Sequence, residues 1–148
     1  MYTFYLKTII PQPVDTVFSL YTDREKISKW QPGFIREEIT EDKKGRMRFI
    51  QTFRIGNRNM VITESILRHS FPSYDVEYRL KGIVNRVHNT FQAHGPDKTI
   101  WTSEITFRFR WLMKLIGPFM KKGLEKQSKM IMDNFKNYAE RSSNLNEL

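Results

Sequence analysis

The chain has 148 residues, of which 39% are hydrophobic and 14% aromatic, and this aromatic content excludes a disordered chain. It contains no cysteine, which excludes a disulfide framework and a thiolate nucleophile or metal site. The formal net charge of +9 favours acidic partners, but the basic residues are dispersed, and no cluster is denser than Lys43-Lys44 or Lys121-Lys122. We therefore interpret the charge as a solvated basic surface rather than a dedicated polyanion site.

The amino terminus and the apolar runs bear on localisation. The segment MYTFYLKTII has neither the basic start nor the long apolar stretch of a signal peptide. No apolar run approaches the length of a transmembrane helix. Together with the absence of cysteine, these features predict a cytoplasmic protein, and the length predicts a single domain over residues 1–148.

The start of the chain predicts one strand followed by two short helices. Residues 2–10 alternate as a strand does, and two prolines end the pattern. Apolar residues then recur at helical spacing over residues 14–21. Thr22 and Glu25 have the spacing of a capping box, so they predict a second short helix that ends near Trp30.

The middle of the chain predicts an antiparallel meander. From Phe34 the hydrophobic period becomes two, and turn signals recur roughly every ten to fifteen residues. Gly56-Asn57 suits a two-residue hairpin because both residues tolerate positive φ. The other turn signals are Asp42-Lys43-Lys44-Gly45, Phe71-Pro72-Ser73, Lys81-Gly82 and Gly95-Pro96-Asp97-Lys98. Between the turns lie six strands, which makes seven with the first.

The last third predicts one long amphipathic helix after a break at Gly117-Pro118. A helix from Pro118 to Arg141 would be roughly 36 Å long at about 1.5 Å per residue, enough to cross the whole sheet. Residues 142–146 are expected to fray. The apolar stripe consists of Met120, Leu124, Gln127, Ile131, Phe135 and Tyr138. This order of elements suits an α+β fold in which a curved sheet wraps around the closing helix and encloses something apolar.

Three stretches of the chain resemble the START/Bet v 1-like superfamily, also called the polyketide cyclase/dehydrase and lipid-transport family. They are the segment PVDTVFSLYTDREKISKWQPGF, the meander from Gly45 to Trp111, and the helix segment KKGLEKQSKMIMDNFKNYAE. The resemblance implies a helix-grip fold, in which a curved seven-stranded antiparallel sheet wraps around a long C-terminal helix and leaves a cavity between them. Members of this superfamily bind lipids, steroids, polyketides or plant metabolites, and some act as cyclases, quinone chaperones or co-chaperones. The family has no universal catalytic signature.

Strand and helix periodicity predicts which side chains face this cavity. The expected lining is Phe49, Phe53, Ile62, Tyr78, Phe91, Trp101 and Phe107 from the sheet, with Met120, Leu124, Gln127 and Ile131 from the helix. The polar residues Gln51, Glu64, Asn89 and Ser103 fall on the same face of their strands. Trp30 is expected near the mouth, where it either caps the pocket or closes the core. A mostly apolar lining with a few polar groups is typical of a small-molecule pocket.

Glu64 is the most informative of the polar residues. A carboxylate on an apolar face must be paired, raised in pKa or hydrated. It could orient a ligand hydroxyl or transfer a proton. A nearby arginine partner, or an error of one residue in the assigned face, would explain it without any function. The same structural explanation applies to Gln51, Asn89 and Ser103, each of which could bond to a neighbour.

Several chemistries have no support in the sequence. His69, His88 and His94 lack metal-ligand spacing and are interpreted as surface residues, so we predict neither a metal site nor a cofactor. There is no Gly-rich phosphate loop and no nucleophile elbow. The segment ITFRFRW is interpreted as a strand with Arg108 and Arg110 outward rather than as a base-stacking surface, which argues against a nucleic-acid partner.

Three functions remain open at this point. The first is binding of a hydrophobic small molecule, such as a lipid, polyketide or steroid-like compound, by a carrier or sensor. The second is a cyclase or dehydratase type of enzyme acting on a polyketide-like substrate, which requires Glu64 inside the pocket with a raised pKa. The third is a basic module that docks transiently on an anionic membrane or an acidic protein, which requires Lys and Arg side chains gathered around the cavity mouth.

Overall fold

Seven antiparallel strands form one curved sheet, and a long helix packs against its inner face. The computed structural model describes residues 1–110 and 118–146. The strands are β1 (Tyr2–Ile10), β2 (Phe34–Glu41), β3 (Met47–Ile55), β4 (Arg58–Ser70), β5 (Ser73–Leu80), β6 (Ile83–Ala93) and β7 (Thr99–Phe109). Their spatial order is β1-β7-β6-β5-β4-β3-β2, so the first strand joins the last and the remaining strands follow chain order. The predicted α+β helix-grip fold is confirmed.

Two short helical segments follow β1, and the closing helix begins at Pro118, as predicted. They are α1 (Val14–Thr22), a 3-10 helix (Arg24–Lys29) and α2 (Pro118–Asn146). Helix α2 continues through residues 142–146, where fraying was expected. Gly117 and Trp111, which the sequence analysis placed at the break and at the end of the meander, lie outside the described residues.

The capping box predicted for the second short helix is wrong. Thr22 belongs to the last turn of α1, where its hydroxyl donates to the carbonyl oxygen of Phe18 at 2.9 Å. Asp23 caps the 3-10 helix instead, and its carboxylate accepts from the backbone N–H of Glu25 at 3.1 Å.

Two glycines shape the end of the sheet at the turn between β3 and β4. Gly56 has φ of +60° in the two-residue turn between β3 and β4, whereas its neighbour Asn57 has a negative φ. Gly33 has φ of +76°, and a Cβ there would lie 2.3 Å from the carbonyl oxygen of Arg54. The backbone N–H of Arg54 donates to the Gly33 carbonyl at 2.7 Å. The loop after the 3-10 helix is therefore held against the end of β3.

The core is concentrated at one end of the molecule, under the C-terminal half of α2. Met132, Phe135 and Ala139 are buried there among aromatic rings from α1, the 3-10 helix and the sheet. The ring centroids of Trp30 and Trp101 each lie 5.1–5.3 Å from that of Phe135 in edge-to-face contact. Such aromatic pairs stabilise the folded state by about 0.5–1.5 kcal/mol beyond the contribution of their buried area. We call this region the aromatic end.

The outer face of the sheet carries ion pairs on β5 and β6, beside exposed apolar residues such as Tyr5 and Val61. Glu77 accepts from Arg79 at 2.7 Å and from Arg86 at 2.6 Å, while His88 contacts Asp75. All three histidines are exposed, as the sequence predicted. None of the helices in residues 1–110 and 118–146 is long and apolar enough to span a membrane.

Candidate ligand-binding cavity

A cavity of about 460 Å³ lies between the inner face of the sheet and the N-terminal half of α2. This volume falls in the range of about 300–1,000 Å³ that is typical of small-molecule sites. Its apolar walls include Leu6, Tyr21, Trp30, Phe53, Ile62, Tyr78, Leu80, Ile83, Val87, Trp101, Ile105, Phe107, Leu124, Ile131 and Met132. The polar side chains that border it are Gln31, Gln51, Arg54, Asn85, Ser103, Gln127 and Ser128.

The exposed members of the lining mark the opening. Arg54, Ile55 and Gly56 come from the hairpin between β3 and β4, and Met130 comes from α2. Ile55 is 46% exposed and Met130 is 47% exposed. Access to the cavity is therefore between this hairpin and the helix, beside the loop that Gly33 fixes.

Eleven of the sixteen predicted site residues border the cavity. They are Trp30, Gln51, Phe53, Ile62, Tyr78, Trp101, Ser103, Phe107, Leu124, Gln127 and Ile131. Their roles in ligand binding remain predictions, but the structure brings them together around one space. Trp30 is 5% exposed, so it both borders the cavity and closes the aromatic end.

The other five predicted residues lie outside the lining, for separate reasons. Met120 is 44% exposed in the first turn of α2, where the neighbouring Lys121 lies over the ring of Tyr2 at the start of β1. Phe91 is fully packed in the aromatic end, against Trp101 and Phe18. Phe49, Glu64 and Asn89 are buried in polar or charged networks behind the walls.

Asn89 positions two of the lining side chains. Its Oδ1 accepts hydrogen bonds from Trp101 Nε1 at 2.9 Å and from Ser103 Oγ at 3.0 Å. Its Nδ2 donates to the backbone carbonyl of Tyr74 at 3.1 Å. The amide orientation follows from these partners, and Asn89 is fully buried. Its role in the structure is to hold Trp101 and Ser103 at the cavity wall.

Glu64 pairs with an arginine, as the structural explanation required. Its Oε1 accepts from Arg24 Nη1 at 2.7 Å, and its Oε2 accepts from Gln51 Nε2 at 2.9 Å. Arg24 also binds Glu37, with 2.5 Å from Nη2 to Oε1 and 3.2 Å from Nε to Oε2. The guanidinium carbon lies 3.8 Å from the centroid of the Phe49 ring. We call Arg24, Glu37, Gln51 and Glu64 the buried charge cluster.

Burial dominates the electrostatics of this cluster. Desolvation raises the pKa of Glu64, although the charge and hydrogen bonds of Arg24 act in the opposite direction. The pKa of Arg24 is raised because the attraction of Glu64 and Glu37 exceeds the effect of its own burial. Glu64 therefore has the raised pKa that the enzymatic hypothesis required, but its side chain lies behind the cavity wall.

The titratable groups that do border the cavity are poor proton acceptors. In the part of the chain that the structure describes, the lining contains no Asp, Glu, His or Lys. Burial raises the pKa of the Tyr21 phenol and of the Tyr78 phenol above the ordinary value of 10.0. Both phenols are therefore neutral at physiological pH and act as hydrogen-bonding groups.

The lining residues that were not singled out from the sequence include Asn85 and Tyr21, and also Gln31, Arg54 and Ser128. Asn85 shares its inward face with Asn89, four residues later, so period-two alternation contained the signal. Of the two, Asn89 was the predicted site residue, whereas Asn85 borders the cavity. Tyr21 lay on the apolar face of the first predicted helix, and its approach to the cavity depends on how α1 packs on the sheet.

The described residues include no group of three or more His, Asp or Glu side chains placed to hold a metal ion. The polar atoms at the cavity are amide, hydroxyl and indole groups, together with the guanidinium of Arg54. These groups suit hydrogen bonding to an organic molecule.

Comparison with known families identifies the chain as a member of the polyketide cyclase/dehydrase and lipid transport family, which matches residues 1–140. The predicted membership of the START/Bet v 1-like superfamily is thereby confirmed. Comparison of the sequence with curated proteins gave no significant match.

Solved structures share the fold at low sequence identity. A START superfamily protein from Mycobacterium smegmatis superposes with a TM-score of 0.76 at 14% identity, covering 94% of this chain and 97% of that one. The ZhuI aromatase/cyclase from a Streptomyces species superposes with a TM-score of 0.72 at 13% identity, covering 95% of this chain and 94% of that one. A norcoclaurine synthase from Thalictrum flavum superposes with a TM-score of 0.70 at 13% identity, covering 96% of both chains. At such identities the likeness establishes the fold alone.

Proposed function

We propose that this protein binds an apolar small molecule in the cavity and acts as its carrier or sensor. The observation that carries the proposal is the cavity itself. Protein interiors are normally packed to crystal-like density with few voids larger than a water molecule. A space of about 460 Å³ bordered mainly by aliphatic and aromatic side chains forfeits stability that packing would supply. A bound apolar molecule, such as a lipid, polyketide or steroid-like compound, would restore those contacts.

Binding without proton transfer is favoured by the chemistry of the lining. The carboxylate of Glu64 is engaged by Arg24 and Gln51 and lies behind the wall. The phenols that face the cavity are neutral because burial raises the pKa of each. These features supply hydrogen bonds and shape, which a carrier needs, and no general base.

The proposal is tested by filling the cavity. Leu124 borders the space from α2, and Met120 lies one turn earlier on the same helix but outside the lining. We expect retinol, titrated by calorimetry, to bind the wild type and the Met120→Trp variant alike. Leu124→Trp should weaken binding by about tenfold or more, because the indole occupies ligand space. Equal affinity in all three proteins would contradict binding in this cavity.

A cyclase or dehydratase activity is the second candidate, and the phenols of Tyr21 and Tyr78 are the observation in its favour. A neutral phenol can donate a hydrogen bond to a developing oxyanion on a carbonyl substrate. On this hypothesis, a reactive poly-β-carbonyl compound should cyclise faster with the wild type than with Tyr21→Phe or Tyr78→Phe, at saturating substrate. Identical product distributions with and without protein would remove the enzymatic candidate.

Transient membrane contact has its own support at the open end of the sheet. Strand directions place the β3–β4 hairpin and the start of β1 at the same end, and α2 begins there beside Tyr2. Exposed apolar residues at this end are accompanied by Lys121 and Lys122. Phe119 is 90% exposed and Met120 is 44% exposed. An apolar tip with basic neighbours is the composition that binds an anionic lipid surface.

A further inference from the structure

A short polar row crosses the apolar wall of the cavity. On the inner face of the sheet, Glu64 of β4 lies opposite Tyr78 of β5, and Tyr78 lies opposite Asn85 of β6. Tyr78 and Asn85 border the cavity, whereas Glu64 is buried behind it. Residues directly opposite each other on antiparallel strands have Cβ atoms about 4.5–5.5 Å apart. The side chains of Tyr78 and Asn85 therefore border neighbouring parts of one cavity wall.

The amide in this row has unused hydrogen-bonding capacity. Oδ1 of Asn85 is buried and accepts no hydrogen bond from any residue in the described ranges. A buried acceptor without a donor costs free energy that a ligand donor would recover. The phenol of Tyr78 can both donate and accept. A ligand hydroxyl matches both side chains, because it can donate to Asn85 and accept from Tyr78, whereas an ether oxygen can only accept.

The charge distribution disfavours an anionic head group inside the cavity. Arg24, the cation of the buried charge cluster, already pairs with Glu37 and Glu64 through Nε, Nη1 and Nη2. Arg24 lies outside the lining. Among the described lining residues the cation is Arg54, which is exposed at the opening. A carboxylate drawn into the interior would lose its hydration without gaining a cationic partner.

We propose that the ligand is uncharged and carries a hydroxyl group held between Tyr78 and Asn85, and that the cavity rejects the carboxylate of the same skeleton. This inference rests on the proposed binding function and narrows its ligand class to neutral hydroxylated apolar molecules. Fatty-acid-like anions are excluded from the class.

The test compares three compounds with one skeleton: retinol, retinyl methyl ether and retinoate. In calorimetric titration of the wild type, the affinity for retinol should be about 3- to 10-fold higher than the affinity for the ether. This ratio corresponds to the binding free energy of one neutral hydrogen bond. Retinoate should bind at least about tenfold more weakly than retinol.

Variants of the row assign the effect to its two side chains. Asn85→Ala should bring the ratio of retinol affinity to ether affinity close to one, because it removes the acceptor that only the hydroxyl can use. Tyr78→Phe should weaken the binding of retinol and of the ether alike and keep the ratio, because both ligand oxygens accept from the phenol. Circular dichroism confirms the fold of each variant. Tyr74→Phe is the matched control, because Tyr74 is buried in the aromatic end and lies outside the lining. It should keep the wild-type ratio and the wild-type affinity for both compounds.

The outcomes separate the two proposals. Equal affinity of the wild type for retinol and its ether, or retinoate binding as tightly as retinol, would overturn the hydroxyl inference and leave cavity binding intact. A hydroxyl preference that survives in Asn85→Ala, or retinol and ether affinities that Tyr78→Phe leaves unchanged, would also overturn it. Failure of all three compounds to bind the wild type would overturn the proposed binding function itself.

Discussion

The two halves of α2 pack on the same sheet with opposite results. In the C-terminal half, Phe135 and Ala139 are fully buried, because the rings of Trp30 and Trp101 fill the space below them. In the N-terminal half, Leu124 packs against the cluster of Phe4, Ile105 and Phe107 but borders the cavity and is only partly covered. We call this second region the hollow end. The fold therefore fills the space between helix and sheet at one end and leaves it partly unfilled at the other.

Truncating a side chain at each end should show the difference in packing most clearly. Phe135→Ala removes a fully buried ring, and we expect the free energy of unfolding to fall by about 3–5 kcal/mol. Leu124→Ala should lower it by about 1 kcal/mol or less, because the side chain already borders open space. Urea denaturation of both variants measures the difference. Similar losses would show that the hollow end is as tightly packed as the aromatic end.

The buried charge cluster lies beside the hollow end and should be the next most sensitive feature. Arg24→Met leaves Glu37 and Glu64 without the guanidinium that both bind. We expect a loss of about 2–3 kcal/mol, since Arg24 is partly exposed and water screens part of the effect. The double variant Arg24→Met/Glu64→Gln should recover part of the loss, because it removes the most buried charge. No recovery in urea denaturation would contradict this account of the cluster.

Membrane contact should also distinguish the two ends of the sheet. Lys121→Glu/Lys122→Glu changes the charge at the open end, and we expect affinity for anionic vesicles to fall by about tenfold or more. Lys43→Glu/Lys44→Glu makes the same change in the turn between β2 and β3, at the opposite end. That control should bind vesicles like the wild type in sedimentation. Equal losses in both variants would indicate a general charge effect and no docking surface.

The pH dependence of stability should report the smallest effect. Burial raises the pKa of Glu64 above its ordinary value of 4.5, so the proton binds the folded state more tightly than the unfolded state. The stabilisation from this group is complete below about pH 4.5 and is lost as the pH rises through the folded pKa. The wild type should therefore lose stability relative to Glu64→Gln as the pH increases above about 4.5.

Asp42 provides a control of opposite sign. Hydrogen bonds from the Arg46 backbone, together with its side chain, lower the pKa of Asp42 to about 2. Its contribution is constant above its unfolded value of 3.8, so the difference between Asp42→Asn and the wild type should not change between about pH 5 and pH 8. Urea denaturation across this range tests both variants. A difference for Glu64→Gln that is flat, or that falls with pH, would contradict the burial of its charge.

Local patterns predicted most of the fold because they reflect local physics. Period-two alternation identified the inward faces of β3 and β7, where Phe53, Trp101 and Phe107 border the cavity as expected. The Gly56 turn and the helix start at Pro118 followed from the backbone preferences of glycine and proline.

The parts of the site that the sequence could not predict depend on contacts distant in the chain. Arg24 and Glu64 are 40 residues apart, and no local pattern pairs a helix residue with that strand. Asn85 and Asn89 share one face, so choosing between them requires knowing where the aromatic rings stop filling the space. Met120 continues the helical stripe, but it lies in the exposed first turn of α2, beside Phe119, which is 90% exposed.

Methyl chemical shifts during a ligand titration test the central claim most directly. With retinol added to the labelled protein, we expect the shifts of Ile62, Ile83 and Ile131, which border the cavity, to change strongly. The methyl groups of Val17 and Ala139, buried in the aromatic end, should change little. Shifts confined to the aromatic end or to exposed residues such as Ile39, or no shifts at all, would contradict the assignment of the hollow end as the ligand site.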